Sequence, residues 1–286
     1  MSPKNLYIID GYYFIHKAFS APIQHQFTSP SGEPTTATYI FTTSLLKILR
    51  EQKPDALVVA MESWGLTFRN ALDENYKVNR SRSSDSFRIQ VRRIEEILEA
   101  MNIPVLRADG FEADDIIGTI AKKADHARYN VLICSNDKDM LQLVDHNVKI
   151  FNTKTGETTD ILEVVRKYGI SPTQFIDYLA LQGDPADNVP GVPGVGSKTA
   201  GLWITKYGSI ENILEHTGEL GKKGQVLSER KDRLLLSKKL VTIDCDVPIS
   251  FSCDELSVRE FNKNKLHQIF EELGFSRLIE QLKLER

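Results

Sequence analysis

Seven carboxylates sit where short apolar runs end. Asp10 and Glu62 each close one run, Glu112, Asp114 and Asp115 follow a third, and Asp137 and Asp139 follow a fourth. Two more, Asp184 and Asp187, open a glycine-rich segment further along. Hard oxygen ligands of this kind suit magnesium or manganese. So many carboxylates in one crevice repel one another unless cations fill it. A lone Asp after a strand is ordinarily a turn residue or helix cap. That reading explains any one of these groups well and all of them together poorly. No Ser–His–Asp or Cys–His grouping competes as a nucleophile, and the six scattered histidines speak against a zinc site.

The elements that must position these residues are legible as alternating patterns. Residues 6–10, 56–61, 104–106, 131–134 and 148–151 read as short buried strands. Between them, residues 39–49 place Phe41, Leu45, Ile48 and Leu49 at helical spacing, and Val91, Ile94, Ile97, Leu98 and Met101 mark a second helix. Ile116, Ile117, Ile120 and Ala124 continue a third after Glu112. Continuous apolar strands alternating with helices predict a mostly parallel sheet covered on both faces. In such sheets ligands bind outside the carboxyl ends of the strands, where the acids lie.

After Gly169 the strand signal fades. Ser171 reads as a helix cap with Pro172 at the first helical position. The division expected is an α/β core over residues 1–170 and a mainly helical domain over 171–286. Residues 79–87 are the best candidate for a mobile segment, and residues 24–34 a second loop. Within residues 183–200, Gly194, Val195 and Gly196 read as a tight turn between short helices, followed by Ser197 and Lys198. Glycines there let backbone N–H groups approach a phosphate, and the next helix offers its N-terminus. Such a hairpin holds a DNA backbone without reading its sequence.

The 286 residues suffice for one large domain or two ordinary ones. No apolar run approaches the roughly 20 residues of a membrane span, and the N-terminus lacks a signal-peptide layout. The three cysteines, Cys134, Cys245 and Cys253, read as reduced thiols of a cytoplasmic protein. A net charge of −3 counts mildly against a nucleic-acid partner. Metals bound to the acidic cluster would make the working surface less negative. Basic residues within 222–239 either track a duplex backbone or form a solvated helix face.

These segments together resemble the 5′-nuclease family: the 5′→3′ exonuclease domain of bacterial DNA polymerase I, stand-alone bacterial and phage 5′ exonucleases, and flap endonucleases. The resemblance is strongest to the polymerase I domain and runs from Leu6 to about Phe275. It is carried by residues 8–11 (Ile-Ile-Asp-Gly), 67–69 (Thr-Phe-Arg), 76–80 (Tyr-Lys-Val-Asn-Arg), 110–115 (Gly-Phe-Glu-Ala-Asp-Asp), 136–143 and 183–200. It implies a PIN-like core with a C-terminal helix–hairpin–helix clamp. It implies two divalent metals, magnesium or manganese. Asp10, Glu112, Asp114, Asp115 and Glu62 match positions of the first; Asp137, Asp139, Asp184 and Asp187 match those of the second. Lys77, Arg80 and Arg82 match a basic segment that grips the scissile phosphate and guides the 5′ strand. Gly194, Val195, Gly196, Ser197 and Lys198 match the DNA clamp, which often holds a potassium ion.

The activity implied is cleavage of DNA at 5′ ends, flaps or nicks in replication and repair, by a monomer, with RNA–DNA hybrids as further substrates. Whether exonuclease or flap endonuclease action dominates stays open, as does a stand-alone chain against a polymerase segment. Three departures stand out. Glu62 replaces the usual Asp. Ser81, Arg82, Ser83 and Ser84 replace a Pro-rich stretch. Tyr12 and Tyr13 stand where small residues are common, either to stack on a terminal base or to pack inside. Two other classes remain: a DNA-binding module without catalysis, opposed by the complete acid set, and a PIN-type ribonuclease, opposed by the hairpin.

Overall fold

The computed structural model describes residues 3–80 and 83–284. Six strands form one sheet: β1 (Lys4–Asp10), β2 (Ala56–Ala60), β3 (Val105–Leu106), β4 (Tyr129–Cys134), β5 (Val148–Phe151) and β6 (Thr158–Thr159). Their spatial order is β3-β2-β1-β4-β5-β6. All neighbours pair in parallel except β6, which is antiparallel to β5. The parallel core is as the apolar runs predict. The antiparallel edge strand was not foreseen, because two threonines carry no periodicity.

Strand β1 lies at the centre and alternates between two cores. Leu6 and Ile8 face one, while Tyr7 and Ile9 face the other. The second core is built by α1 (Gly11–Phe19), α2 (Thr36–Gln52) and, beyond the short α3 (Phe68–Leu72), by α4 (Asp85–Ala100). Within α4, Phe87, Val91, Ile94 and Leu98 recur on one buried face. Ser84 caps its start by accepting from the Phe87 N–H at 3.2 Å. The segment expected to be mobile thus already contains a helix start; its residues 81 and 82, Arg82 among them, lie outside the described residues.

The first core continues through α5 (Ala113–Lys123), α6 (Ile161–Tyr168), α7 (Phe175–Gln182), α8 (Ser197–Tyr207), α9 (Ile210–Glu215), α10 (Gly221–Glu229) and α11 (Lys231–Val241). Ile116, Ile117 and Ile120 of α5 are fully buried. Each contributes about 1.5–3 kcal/mol relative to exposure. Ser171 and Gln174 form a capping box before α7 with Pro172 in the first turn, as the sequence predicts. The chain then crosses back. Helices α12 (Lys263–Leu273) and α13 (Ser276–Leu284) put Leu266, Phe270 and Leu278 into the second core, against the opposite face of the sheet.

Candidate functional site

Asp10 is both the end of β1 and the cap of α1, its Oδ1 accepting from the Tyr13 N–H at 3.0 Å. Its Oδ2 accepts from Ser135 Oγ at 2.8 Å. Gly11 follows because a Cβ there would lie 2.8 Å from the Ala60 carbonyl oxygen and 2.5 Å from Met61 Sδ. The Asp-Gly pair therefore lets β1 turn into α1 directly against β2. Glu112 caps α5, which places Asp114 in the first helical turn. Asp137 accepts from the Asp139 N–H at 2.9 Å and so begins the short helical turn after β4.

These ends meet in a cleft of about 510 Å³. Asp10, Glu62, Glu112, Asp114, Asp137 and Asp187 line it with Lys77 and Arg80. A smaller void of about 10 Å³ adjoins it, lined by Asp139 and Asp184 together with Glu112, Asp114 and Asp187. The two expected carboxylate sets are therefore brought side by side, with three acids lining both spaces. Asp184 and Asp187 reach the cleft because Asp184 and Val189 exchange both backbone hydrogen bonds, at 2.8 and 2.9 Å, which folds the intervening loop tightly.

The electrostatics are those of crowded acids. Burial raises the Asp10 carboxyl to about 6, against the opposing hydrogen bonds from Tyr13 and Ser135. Burial takes Glu62 to about 7, opposed by Lys77. Burial and the neighbouring Asp137 take Asp139 to about 7. Asp114 is also pushed well up, by burial and then by Asp10 and Glu112. Side-chain cations supply part of the compensation. Lys77 Nζ lies 2.6 Å from Glu112 Oε1 and 3.7 Å from Asp187 Oδ2. Burial alone would lower the Lys77 ammonium, but Glu112 and Asp187 outweigh it and raise it. Arg80 pairs with Asp187, and Lys138 with Asp184 at 3.0 Å.

Among the described residues no three His, Cys, Asp or Glu side chains already converge as a finished metal cage. The donor set nevertheless fits hard divalent cations. It is all oxygen, and Asp139 Oδ1 is buried without a hydrogen-bond partner.

Asp115 departs from the expectation that it joins this set. It is fully buried. Its Oδ2 and Oδ1 each accept from Arg69 at 2.7 Å, and they also accept from the Glu112 and Asp244 N–H groups. Both oxygens are thus committed inside the protein, so the structure makes Asp115 a brace of the rim. Arg69 spends its remaining donors on the Leu240 and Thr242 carbonyls, both at 2.8 Å. It also reaches Glu112 Oε2 at 3.3 Å. Tyr76 donates to the same Glu112 oxygen at 3.0 Å. Sequence reading passed over Arg69, Tyr76, Ser135 and Lys138 as site residues. Arg69, Tyr76 and Lys138 fall inside the motif stretches, but only the fold shows what they touch at the rim.

Tyr12 and Tyr13 both line the cleft. Tyr12 meets His16 edge-on at 4.3 Å between ring centroids, and the Tyr13 hydroxyl accepts from Asn136 at 2.9 Å. Gly194 and Gly196 lie outside the cleft, exposed between α7 and α8, as do Ser197 and Lys198 in the first turn of α8, while Val195 is buried and anchors the turn. The two helices and this turn form a helix–hairpin–helix. Gly183 has φ +76°, and a Cβ on it would lie 2.3 Å from the Gly191 nitrogen, so the hairpin closes only around glycine. No side chain caps α8, so its first N–H groups have no side-chain partner.

A family model described as the 5′-3′ exonuclease N-terminal resolvase-like domain matches residues 5–169. One described as the 5′-3′ exonuclease C-terminal SAM fold matches residues 170–264. The chain belongs to the 5′-3′ exonuclease family. Among its relatives is the 5′-3′ exonuclease of Aquifex aeolicus, 37% identical over 281 residues and covering 98% of this chain and 95% of that one. DNA polymerase I of Caldicellulosiruptor bescii is 37% identical over 286 residues, or 98% of this chain but 33% of the polymerase. The chain thus spans about a third of the polymerase relatives it matches. A solved structure of T5 5′-exonuclease with bound divalent metal ions (zinc) superposes with a TM-score of 0.73 at 20% identity, covering 95% of this chain and 99% of that one. The catalytic core of Rad2 with DNA substrate superposes at 0.64 and 12% identity, covering 98% and 92%. At those identities the likeness is one of fold.

Proposed function

We propose that this protein hydrolyses DNA phosphodiesters at 5′ ends, nicks and flaps, using two divalent cations, magnesium or manganese. The observation that carries this reading is the single cleft in which Asp10, Glu112 and Asp114 face Lys77 and Arg80. Asp10, Glu62, Glu112 and Asp114 would hold one ion; Asp137, Asp139, Asp184 and Asp187 would hold the other. Bound there, the ions supply an activated water and charge stabilisation at the leaving oxygen. Lys77 and Arg80 are the protein's own cations for the developing charge on the phosphate. Each pairs with a carboxylate that metal binding would engage, and is thereby released toward a phosphate.

Residues up to about 170 form the catalytic unit and the helical segment beyond it the DNA-gripping unit, its hairpin carbonyls suited to potassium. The uncapped start of α8 and the exposed Lys198 support backbone contact without sequence reading. We read the chain as a monomer active on RNA–DNA hybrids as well. The free state of Cys134, Cys245 and Cys253 supports a cytoplasmic setting. No helix among the described residues is long and apolar enough to cross a membrane.

The test is cleavage of a labelled 5′-flap substrate with magnesium, with chelator, and with Asp114→Ala. Release of mononucleotides or of an intact flap, abolished by either change, is the expected result. Binding without cleavage by the wild-type chain in magnesium refutes the reading.

A further inference from the structure

The loop after Glu62 carries two exposed apolar side chains beside the cleft. Trp64 is 54% exposed and Leu66 80%. The backbone beneath them is fixed. Ser63 Oγ donates to the Ala108 carbonyl at 3.0 Å, and the Phe68 N–H donates to the Gly110 carbonyl at 2.9 Å. The Arg88 guanidinium, from the first turn of α4, sits 5.5 Å from the Trp64 ring centroid. Among the described residues Arg88 forms no ion pair, so its charge is free to face an anion. Trp64 lines a pocket of about 140 Å³ together with Tyr12, Glu62, Ser63, Ser83 and Val91. Tyr12 and Glu62 line this pocket and the main cleft alike, so the two adjoin.

We propose that Trp64, backed by Arg88, is a stacking platform for an unpaired nucleobase of the 5′ strand, and that the pocket between Trp64 and Tyr12 receives that base. The inference rests on the nuclease reading above. A small slot walled by Trp64 and Tyr12, with the polar Glu62, Ser63 and Ser83 in its lining, suits a flat ring with polar edges, and a cation beside the outer aromatic suits the phosphate that accompanies it. Because Glu62 and Tyr12 are shared by the two spaces, a base held here neighbours a phosphate bound at the carboxylates. Stacking tolerates any sequence because every base has a π-face. Trp64 is therefore a positioning residue for single-stranded 5′ ends, and Leu66 extends the shelf on which the strand leaves.

The experiment uses the full chain in a Trp203→Phe background, so that Trp64 alone reports. A 5′-flap oligonucleotide duplex is added with calcium in place of magnesium. Expected are quenching of Trp64 by the flap substrate but not by the matching nicked duplex, and a Kd about tenfold weaker for Trp64→Ala on the flap only. That factor follows from the roughly 1–3 kcal/mol of one base–aromatic stack. Trp64→Phe keeps most of the affinity. An abasic residue at the flap base nearest the cut weakens wild-type binding and adds nothing to Trp64→Ala. Equal quenching by flap and nick, or unchanged flap affinity in Trp64→Ala, overturns the proposal while leaving the nuclease intact. A wild-type chain that neither binds nor cuts the flap overturns both.

Discussion

Arg69 and Asp115 form a two-pronged ion pair in the protein interior, with both carboxylate oxygens 2.7 Å from guanidinium nitrogens. The pair ties α3 to α5 just below the acidic rim, and the Arg69 bonds to Leu240 and Thr242 tie in the end of α11. The site is thereby positioned from beneath by a junction of the two family segments.

Removing one partner of that pair leaves an uncompensated buried charge. Arg69→Met is expected to destabilise the fold by about 3–5 kcal/mol, read from urea unfolding. Asp115→Asn should likewise lower stability, while Asp114→Asn lowers divalent-cation affinity by calorimetry without lowering stability. If Asp115→Asn instead weakened metal binding at full stability, Asp115 would be a ligand after all.

Lys77 stands between the acids and the space where a phosphate would sit. Its loss removes one preorganised cation, an effect of order 10²–10³ in kcat for a comparable donor. Lys77→Ala should therefore slow single-turnover cleavage of a saturating flap substrate by about that factor, with little change in Kd. A large loss of Kd with unchanged turnover would show that Lys77 only binds.

The sheet and its rim were readable because they rest on local patterns. Apolar runs of β1, β2 and β4 are each followed at once by their acids, and parallel strands align such ends. The partner of Asp115 was not readable, since Arg69 lies 46 residues away and pairs through the fold. Nor was the return of α12 and α13 to the opposite face of the sheet. The apolar spacing of Leu266, Ile269, Phe270 and Leu273 announces a buried side but not its target. Tyr12 was ambiguous for a related reason: it packs on His16 and also lines the cleft, so neither reading alone describes it.

Crowding of acids gives the metal-free protein a pH signature. Asp10, Glu62 and Asp139 titrate at about 6 to 7 in the fold, above their ordinary values near 4. A raised carboxyl favours the protonated folded state. The stability these groups contribute is therefore fully present below about pH 4 and is lost as pH rises through 6 to 7. In chelator, Glu62→Gln should melt higher than wild type by a margin that grows from pH 5 to pH 8. Magnesium should shrink that margin by supplying the missing positive charge. A margin flat with pH would mean that Glu62 is not held in an unfavourable charge environment.

The hairpin makes a different kind of prediction, because its contacts are to phosphates. Lys198 is exposed at the start of α8, next to N–H groups that no side chain caps. Each phosphate contact adds about one unit to the slope of log K against log salt. Lys198→Ala should lower that slope by about one and weaken flap binding equally for all flap sequences, measured by fluorescence anisotropy across a salt series. Cleavage rate at saturating substrate should stay within about twofold of wild type, since a phosphate contact positions the duplex without entering the chemistry. An unchanged salt slope would place the duplex elsewhere, along the basic residues of α10 and α11. Lys238 is a weak candidate there, because it is already bound to Asp177 at 2.6 Å and Glu211 at 2.8 Å.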